Sequence, residues 1–425
     1  MKVLLVSADT EQTGMPVLPL GLACVAAAAQ RAGHDVNLKT LMAEQDSLTA
    51  LKEIIEAFEP EAIGISVRNI DDQTMENPKF LLDSIKEIVT RCQGLSHAPI
   101  ILGGAGYSIY PQSALDYLKA DMGIQGEGEI AFITLLERLH RKADLSGIPG
   151  LYLPEGGLQG KVRLLRSLDD CLLPLPEDPP WIPSTLKDQR TWIPVQTRRG
   201  CSMDCNYCST AIIEGRMTRR RSPERVVELM RRYVEAGFKR FAFVDNIFNL
   251  PTSYAKALCD QIIAAGISVS WTCIVYPWKM DEELVEKMAR AGCRGISLGS
   301  ESGSSKILKI MNKKFQPEDV RQISGWFKKY SIQQMGFLLL GGPGENKKTV
   351  KESLEFTDSL DLESVKITIG IRIYPYTALA RIAVRDNIIE PNDDLLFPRF
   401  YMTGGLEEWL RKTVSDWTAE RPHWG

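Results

Sequence analysis

The chain has no run of about 18 apolar residues, the length a membrane-spanning helix needs, so no span is expected. It has no surplus of either charge. Lys and Arg number 51 against 54 Asp and Glu, a net charge of −3, and so balanced a chain carries no electrostatic footprint for nucleic acid. Histidine is scarce, four in 425 residues (His34, His97, His140 and His423), which leaves few nitrogen ligands for a metal. No Gly-x-Gly-x-x-Gly follows the first apolar run, so a dinucleotide on the N-terminal half is disfavoured. The opening run from Met1 turns acidic at Asp9, too soon for a secretory leader. The nine cysteines, odd in number, then read as thiols of a reducing cytoplasm. With 44% apolar and 25% charged residues, neither disorder nor a disulfide scaffold fits, and the length allows two or three domains.

What is present is a twofold β/α alternation. Apolar runs at Lys2–Ser7, Asp35–Leu38, Ala62–Val67, Pro99–Leu102 and Met122–Ile124 alternate with helical patterns at Leu20–Ala32, Ser47–Phe58, Pro78–Arg91, Pro111–Lys119 and Glu129–Lys142. This predicts an α/β fold over residues 1–142, a doubly wound, Rossmann-like parallel sheet whose ligand lies beyond the carboxyl ends of the strands. Residues 143–190 are proline-rich and read as a linker, with short strands at Gly150–Leu153 and Lys161–Leu165. Strands then fit Trp192–Thr197, Arg240–Val244, Ser268–Cys273, Gly295–Leu298, Met335–Leu340 and Val365–Arg372, each but the last followed by a helical pattern. Six such units over 191–380 predict a partial, TIM-like (β/α)6 barrel. Residues 381–425 are expected to form a C-terminal segment that caps the substrate. The arginines of Arg216–Arg221 read as a solvated face.

The sharpest signal is Cys201-Ser-Met-Asp-Cys205-Asn-Tyr-Cys208, which follows the first barrel strand and is preceded by Gly200. Three thiolates this close suit a soft metal centre. Iron–sulfur cubanes normally take four thiolates, so three leave one iron open. Zinc is the rival, but a structural zinc site wants four ligands, and no histidine lies near this loop.

Cys-x3-Cys-x2-Cys after the first strand of a partial barrel, with aromatic Tyr207 before the third cysteine, resembles the radical S-adenosylmethionine enzymes. The resemblance implies a [4Fe-4S] cluster on Cys201, Cys205 and Cys208 that binds S-adenosylmethionine and yields a 5′-deoxyadenosyl radical. It also implies S-adenosylmethionine contacts at the later strand ends. Asp245, before Asn246, would meet the methionine amino group, although the family's usual glycine pair and glutamate are absent here. Glu301, in Gly299-Ser-Glu-Ser-Gly303, would meet the ribose. Leu338, Gly341 and Gly342, in Phe337-Leu-Leu-Leu-Gly-Gly-Pro-Gly-Glu345, would face adenine. Arg372 would stand on the last strand.

The N-terminal half carries Ser66-Val-Arg68-Asn69, Gly103-Gly104-Ala-Gly106 and Gly126-Glu127-Gly-Glu129 after successive strands. With Pro19-Leu-Gly-Leu22 and Arg31-Ala-Gly-His34, these resemble the cobalamin-binding domain often fused ahead of such barrels. The Asp-x-His-x-x-Gly motif that supplies a lower cobalt ligand elsewhere is missing, since Ala32, not an aspartate, precedes Gly33-His34. Cobalamin is therefore expected base-off, without a protein histidine, over the Ser66–Asn69 loop with Arg68 nearest. The implied activity is methylation of an unactivated carbon, using two S-adenosylmethionine molecules and methylcobalamin. The implied electron source is an external donor such as flavodoxin or ferredoxin. A radical cyclisation or ring rearrangement without net methylation is the alternative within the family, and a non-catalytic cobalamin or iron–sulfur sensor the alternative outside it. The substrate, whether peptide, lipid or small metabolite, is not encoded in any motif.

Overall fold

The computed structural model describes residues 1–8, 18–41, 47–171, 173–176, 181–182 and 191–424. The N-terminal unit runs β1 (Lys2–Ser7), α1 (Leu20–Arg31), β2 (Asp35–Thr40), α2 (Ser47–Phe58), β3 (Ala62–Ser66), α3 (Leu82–Leu95), β4 (Ile100–Gly103), α4 (Ala105–Ile109), α5 (Pro111–Leu118), β5 (Met122–Ile124) and α6 (Gly128–Arg141), then a hairpin of β6 (Leu151–Leu153) and β7 (Gly157–Leu158). The sheet order is β2-β1-β3-β4-β5-β6-β7. The first five strands are parallel and the hairpin antiparallel. Buried faces of α1 and α6 pack on one side of the sheet, and those of α2, α3 and α5 on the other. The order in which strands are added reverses between β1 and β3, the switch point at which doubly wound sheets bind ligands.

The hairpin corrects the expected linker. Residues 151–158 extend the N-terminal sheet, and no strand forms at Lys161–Leu165. The helix expected from Pro78 starts four residues later, because Phe80 is held in a bridge to Asp71 and the Leu81 amide donates to Ile70 O.

The second unit is built on β8 (Trp192–Val195), β9 (Arg198–Arg199), α7 (Thr210–Glu214), β10 (Arg219–Arg220), α8 (Pro223–Glu235), β11 (Arg240–Phe243), α9 (Thr252–Ala264), β12 (Ser270–Val275), α10 (Glu282–Arg290), β13 (Cys293–Glu301), α11 (Ser305–Ile310), α12 (Pro317–Lys329), β14 (Gln333–Leu340), α13 (Lys347–Ser359) and β15 (Ser364–Ile369). It closes with β16 (Ile371–Arg372), α14 (Ala378–Arg385), β17 (Phe400–Tyr401) and α15 (Glu407–Ala419). The six parallel strands are ordered β15-β14-β13-β12-β11-β8, the expected open barrel. Residues 365–372 were expected as one strand. The chain instead breaks at Gly370, where φ is +77° and Met75 of the N-terminal unit fills the place of a side chain. Beyond it, β16 turns away to pair with β17.

Both hydrophobic cores cross the boundary between the units. One joins the α1–α6 face to the barrel, and the other joins the α2–α3–α5 face to Ile307, Met311, Ile371 and Leu379. The C-terminal segment packs on the barrel. The Val365 amide donates to His423 O, and the Thr403 amide donates to Gly341 O.

Candidate functional site

The cysteine loop is fastened at both ends. At its entry, β8 is tied to the end of β11 through Asp245, which accepts from the Thr197 amide at 2.7 Å, Thr197 Oγ1 at 2.6 Å and the Arg198 amide at 3.0 Å. Gly200 then turns with φ +88°, its missing Cβ leaving room for Met217 O. The Gly200 amide donates to Glu214 Oε2 at 2.9 Å, and the Cys201 amide to Gly215 O at 3.1 Å. The far side is laced to the end of α11. Asn206 donates from its amide to Met311 O at 3.1 Å and from Nδ2 to Ile310 O at 2.9 Å, and Asn312 Nδ2 donates to Asp204 O at 2.7 Å.

All three thiols are free and partly accessible. Burial pushes Cys205 up to about 11, and Cys201 upward as well, so iron must displace the protons. Among the described residues no three Cys, His, Asp or Glu side chains gather as ligands of one ion. A cubane asks for something else, three thiolates on one loop that each take a different iron, with the fourth iron left open. The donor set fits that group.

Glu301 stands beside the loop at the end of β13, in left-handed backbone with φ +60°. Its Oε1 accepts from Tyr207 Oη at 2.9 Å and from Lys313 Nζ at 3.0 Å. Among the described residues no hydrogen bond reaches its Oε2.

Five other residues expected as ligand contacts are engaged by the protein itself. Asp245 is 1% exposed, and besides its three hydrogen bonds it pairs with Arg198 Nε at 3.3 Å. It is a latch between strands and has no face for an ammonium. Leu338 points outward into the core, 1% exposed, because strand alternation turns Phe337 and Leu339 to the barrel interior instead. Gly341 and Gly342 are buried, and the space a Cβ would take is filled by Met402 and Ile371. Their amides both donate to Glu345 Oε2, whose carboxyl burial pushes up to about 7. The close approach these glycines permit is to the protein's own C-terminal segment. Arg372 is likewise consumed. Nε donates to Asp71 at 2.8 Å, NH1 to Ile373 O at 2.7 Å and NH2 to Leu395 O at 2.9 Å, so it pins the two units together.

Asp245→Ala is accordingly expected to cost about 3–5 kcal/mol in stability, as when one partner of a buried ion pair is removed. Urea unfolding of the cluster-free protein reads this. Unchanged stability with lost ligand affinity would restore the ligand role.

The N-terminal residues converge on a cavity of about 340 Å³. Ser66, Arg68, Gly103, Gly104, Gly126 and Glu127 all line it, and Asn69 does not. Gly104 has φ +103°, and a Cβ there would lie 2.5 Å from Val67 O. The cavity continues as an apolar slot between the sheet and helices α1 and α6, past Leu5, Leu22, Val25, Gly64 and Phe132. At Gly64 a Cβ would lie 2.6 Å from Leu5 Cδ2 and 3.4 Å from Phe132. On the other side its wall is Pro194, Gln196, Ile213, Glu214 and Val244 of the barrel, so α7, which follows Cys208, separates the cavity from the cysteine loop.

Several functional residues escaped the sequence reading. Ser108 ties two strand ends, donating to Gly104 O at 2.8 Å and accepting from the Gly126 amide at 2.9 Å. Glu214 faces the cavity with neutral donors, Asn246 Nδ2 at 2.6 Å and the Gly200 amide, and burial raises its pKa. The arginine run is only half solvated. Arg216 and Arg220 are exposed, but Arg219 and Arg221 are 4% exposed. Arg219 pairs with Glu127 at 2.5 Å and donates to Leu165 O, while Arg221 donates to Leu168 O and Cys171 O. The proline-rich stretch leaves carbonyls that no strand satisfies, and the arginines supply donors. The alternating parity of 219 to 221 was the available signal.

Residues 195–357 match the family model of the radical SAM superfamily, and residues 7–136 match that of the B12 binding domain. An uncharacterized methyltransferase of Pyrococcus horikoshii is 29% identical, over 92% of this chain and 84% of its own length. The tryptophan 2-C-methyltransferase of Streptomyces laurentii is 24% identical, over 88% of this chain and 73% of its own. In fold the chain is similar to the radical S-adenosylmethionine methyltransferase TsrM from Kitasatospora setae, solved with cobalamin and a [4Fe-4S] cluster. The TM-score is 0.88 at 22% identity, over 100% of this chain and 92% of that one.

Proposed function

We propose that this chain, whose residues 195–357 match the radical SAM superfamily model and whose residues 7–136 match that of the B12 binding domain, methylates an unactivated carbon of a substrate held between the two units. The observation that carries this is the shared wall. The helix that follows Cys208 also bounds the cavity over the N-terminal sheet, so the two cofactor sites meet without an intervening domain. When bound, the cluster with S-adenosylmethionine supplies a carbon-centred radical, and cobalamin supplies a transferable methyl group.

The protein's own part is placement. Cys201, Cys205 and Cys208 hold the cluster, and Glu301, braced by Tyr207 and Lys313, presents its second oxygen to the ribose of S-adenosylmethionine. Ser66 and Arg68, which line the cavity, would hold the corrin. None of the described lining residues is a histidine, which supports a cobalt without a protein imidazole. The apolar slot between sheet and helices accepts the displaced nucleotide tail. Residues 381–425 cap the substrate from the barrel side. A one-electron donor of the flavodoxin or ferredoxin class supplies the electron. Among the described residues no helix is long and apolar enough to cross a membrane.

The test is an anaerobic incubation of cofactor-loaded protein with reductant, methyl-labelled S-adenosylmethionine and a cell extract. Both 5′-deoxyadenosine and a product heavier by one labelled methylene are expected. 5′-Deoxyadenosine without label in any product would replace methylation by a rearrangement.

A further inference from the structure

Lys313 is 3% exposed at its side chain, yet it is a lysine. Burying an ammonium is costly unless something near it needs the charge. Its Nζ donates to Glu301 Oε1 at 3.0 Å and to Tyr207 Oη at 2.9 Å. The rings of Tyr207 and Tyr276 lie 5.2 and 5.5 Å from it. Burial works against this charge, but Glu301, then Tyr207 and Cys205, outweigh it and hold Lys313 charged well above the ordinary lysine range.

Tyr207 lies between two of the cysteines in the loop. The distance from lysine to loop is rigid, because the turn carrying Lys313 is the one whose carbonyls at Ile310 and Met311 bind Asn206, and whose Asn312 binds Asp204. A salt bridge made only for stability would not need this lacing to a metal loop. It would also not need Glu301 at φ +60°, a backbone region that side chains other than glycine adopt uncommonly.

We propose that Lys313, with Glu301 as its counterweight, is a positioning charge pair that sets the reduction potential of the cluster on Cys201, Cys205 and Cys208. This rests on the radical SAM reading above. The charge arithmetic gives the sign. Three thiolates on a cubane core of charge +2 make −1, and one electron from the low-potential donor makes −2. A fixed cation alongside favours the more negative form and so raises the potential, and a fixed anion lowers it. The ammonium shares Glu301 with Tyr207, so the two charges act through one hydrogen-bonded unit rather than as separate surface groups.

The experiment is a dithionite redox titration of the reconstituted protein without S-adenosylmethionine, followed by the paramagnetic resonance of the reduced cluster. At a fixed applied potential, Lys313→Met is expected to lower the ratio of reduced to oxidised cluster about tenfold, which is 59 mV for one electron. Glu301→Gln is expected to raise it. Lys313→Arg, which keeps the charge, is expected to restore most of the wild-type ratio. Opposite shifts from the two neutralising variants support the proposal. Shifts of the same sign, or none, overturn it and leave the trio a scaffold for the loop. If Lys313→Met cannot hold a cluster, Glu301→Gln and Lys313→Arg decide alone, since a scaffold predicts no rise in the first. Iron and sulfide are assayed on the same samples. A wild-type protein that never takes up iron would sink the underlying reading instead, and is told apart by that assay.

Discussion

Replacing Cys205 with alanine is expected to remove the cluster and to reduce 5′-deoxyadenosine formation to background, a loss of at least three orders of magnitude. The reason is geometric as well as chemical. Three thiolates already leave one iron without a protein ligand, and two would leave half the cubane unheld. The loop has no substitute to offer, because no histidine lies in it or beside it. Its two ends are also fixed by the Asp245 latch and by the Asn206 and Asn312 hydrogen bonds, so it cannot rearrange to recruit a distant side chain. Cys205 is the informative choice because burial pushes its thiol up to about 11. Alanine there keeps the loop's backbone hydrogen bonds, including the one from the Cys208 amide to the carbonyl of residue 205, so the fold is expected to persist. Iron and sulfide per chain, the visible absorbance of the anaerobic protein and cobalamin content measure the outcome. Retained cobalamin with lost iron is the expected pattern. Retained radical cleavage would remove the cysteine loop from the chemistry altogether.

The parts of this site that could be read in the sequence are those whose signal is local. Cys-x3-Cys-x2-Cys is a spacing along one loop, and it stands where it was expected. The glycine and serine clusters after β3, β4 and β5 are strand ends, and a parallel sheet brings successive strand ends together without further instruction, so Ser66, Arg68, Gly103, Gly104, Gly126 and Glu127 meet in one cavity. Contacts fixed by parity or by distant partners were not legible. β14 reads Gln-Gln-Met-Gly-Phe-Leu-Leu-Leu, with no polar alternation to say which residues face inward, and the register alone decides for Phe337 and Leu339 against Leu338. Arg372 looked like a ligand contact because it ends a barrel strand, but its partner is Asp71, 301 residues away in the chain. Asp245 failed in the same way, because its three donors come from β8 and the residues after it. Lys313 gave no signal at all. It sits in Asn312-Lys-Lys314, a stretch that looks solvated, and only the fold turns one of the two lysines inward.

Arg372 and Asp71 also explain how two units with separate sheets act as one. Each is buried, each would be costly alone, and the pair spans the boundary beside the Met75–Gly370 contact. With both cores continuous across that boundary, the cavity wall formed by α7 is held at a fixed distance from the strand ends that face it. A reaction that passes a methyl group between sites on different units needs this rigidity more than it needs any single contact.

That geometry makes the slot behind the cavity the most exposed point for a single substitution. Val25→Trp is expected to lower cobalamin affinity roughly 10²- to 10³-fold. Val25 is half-buried on α1 and lines the slot with Leu5, Gly64 and Phe132, an apolar extension of a cavity whose strand-end wall is polar and glycine-rich. On the proposed base-off reading, the slot would bury the displaced nucleotide base. A ring of that size withdraws on the order of 150 Å² from water, worth about 4 kcal/mol at ~25 cal/mol/Å². A tryptophan at position 25 fills the same space and competes for it, with no backbone change and no new buried charge, so the sheet and α1 are expected to stay folded. Cobinamide, which has the corrin but lacks the nucleotide, separates the explanations. It should bind the variant and the wild type alike if, as proposed, the corrin is held by the strand ends at Ser66, Gly103 and Gly126 and not by the slot. Equal loss of cobalamin and cobinamide would mean that the substitution has damaged the domain. Unchanged cobalamin binding would mean that the tail does not use the slot. Paramagnetic resonance of the cobalt(II) form in the wild type gives an independent check, since splitting from an axial nitrogen would show a base still on the metal.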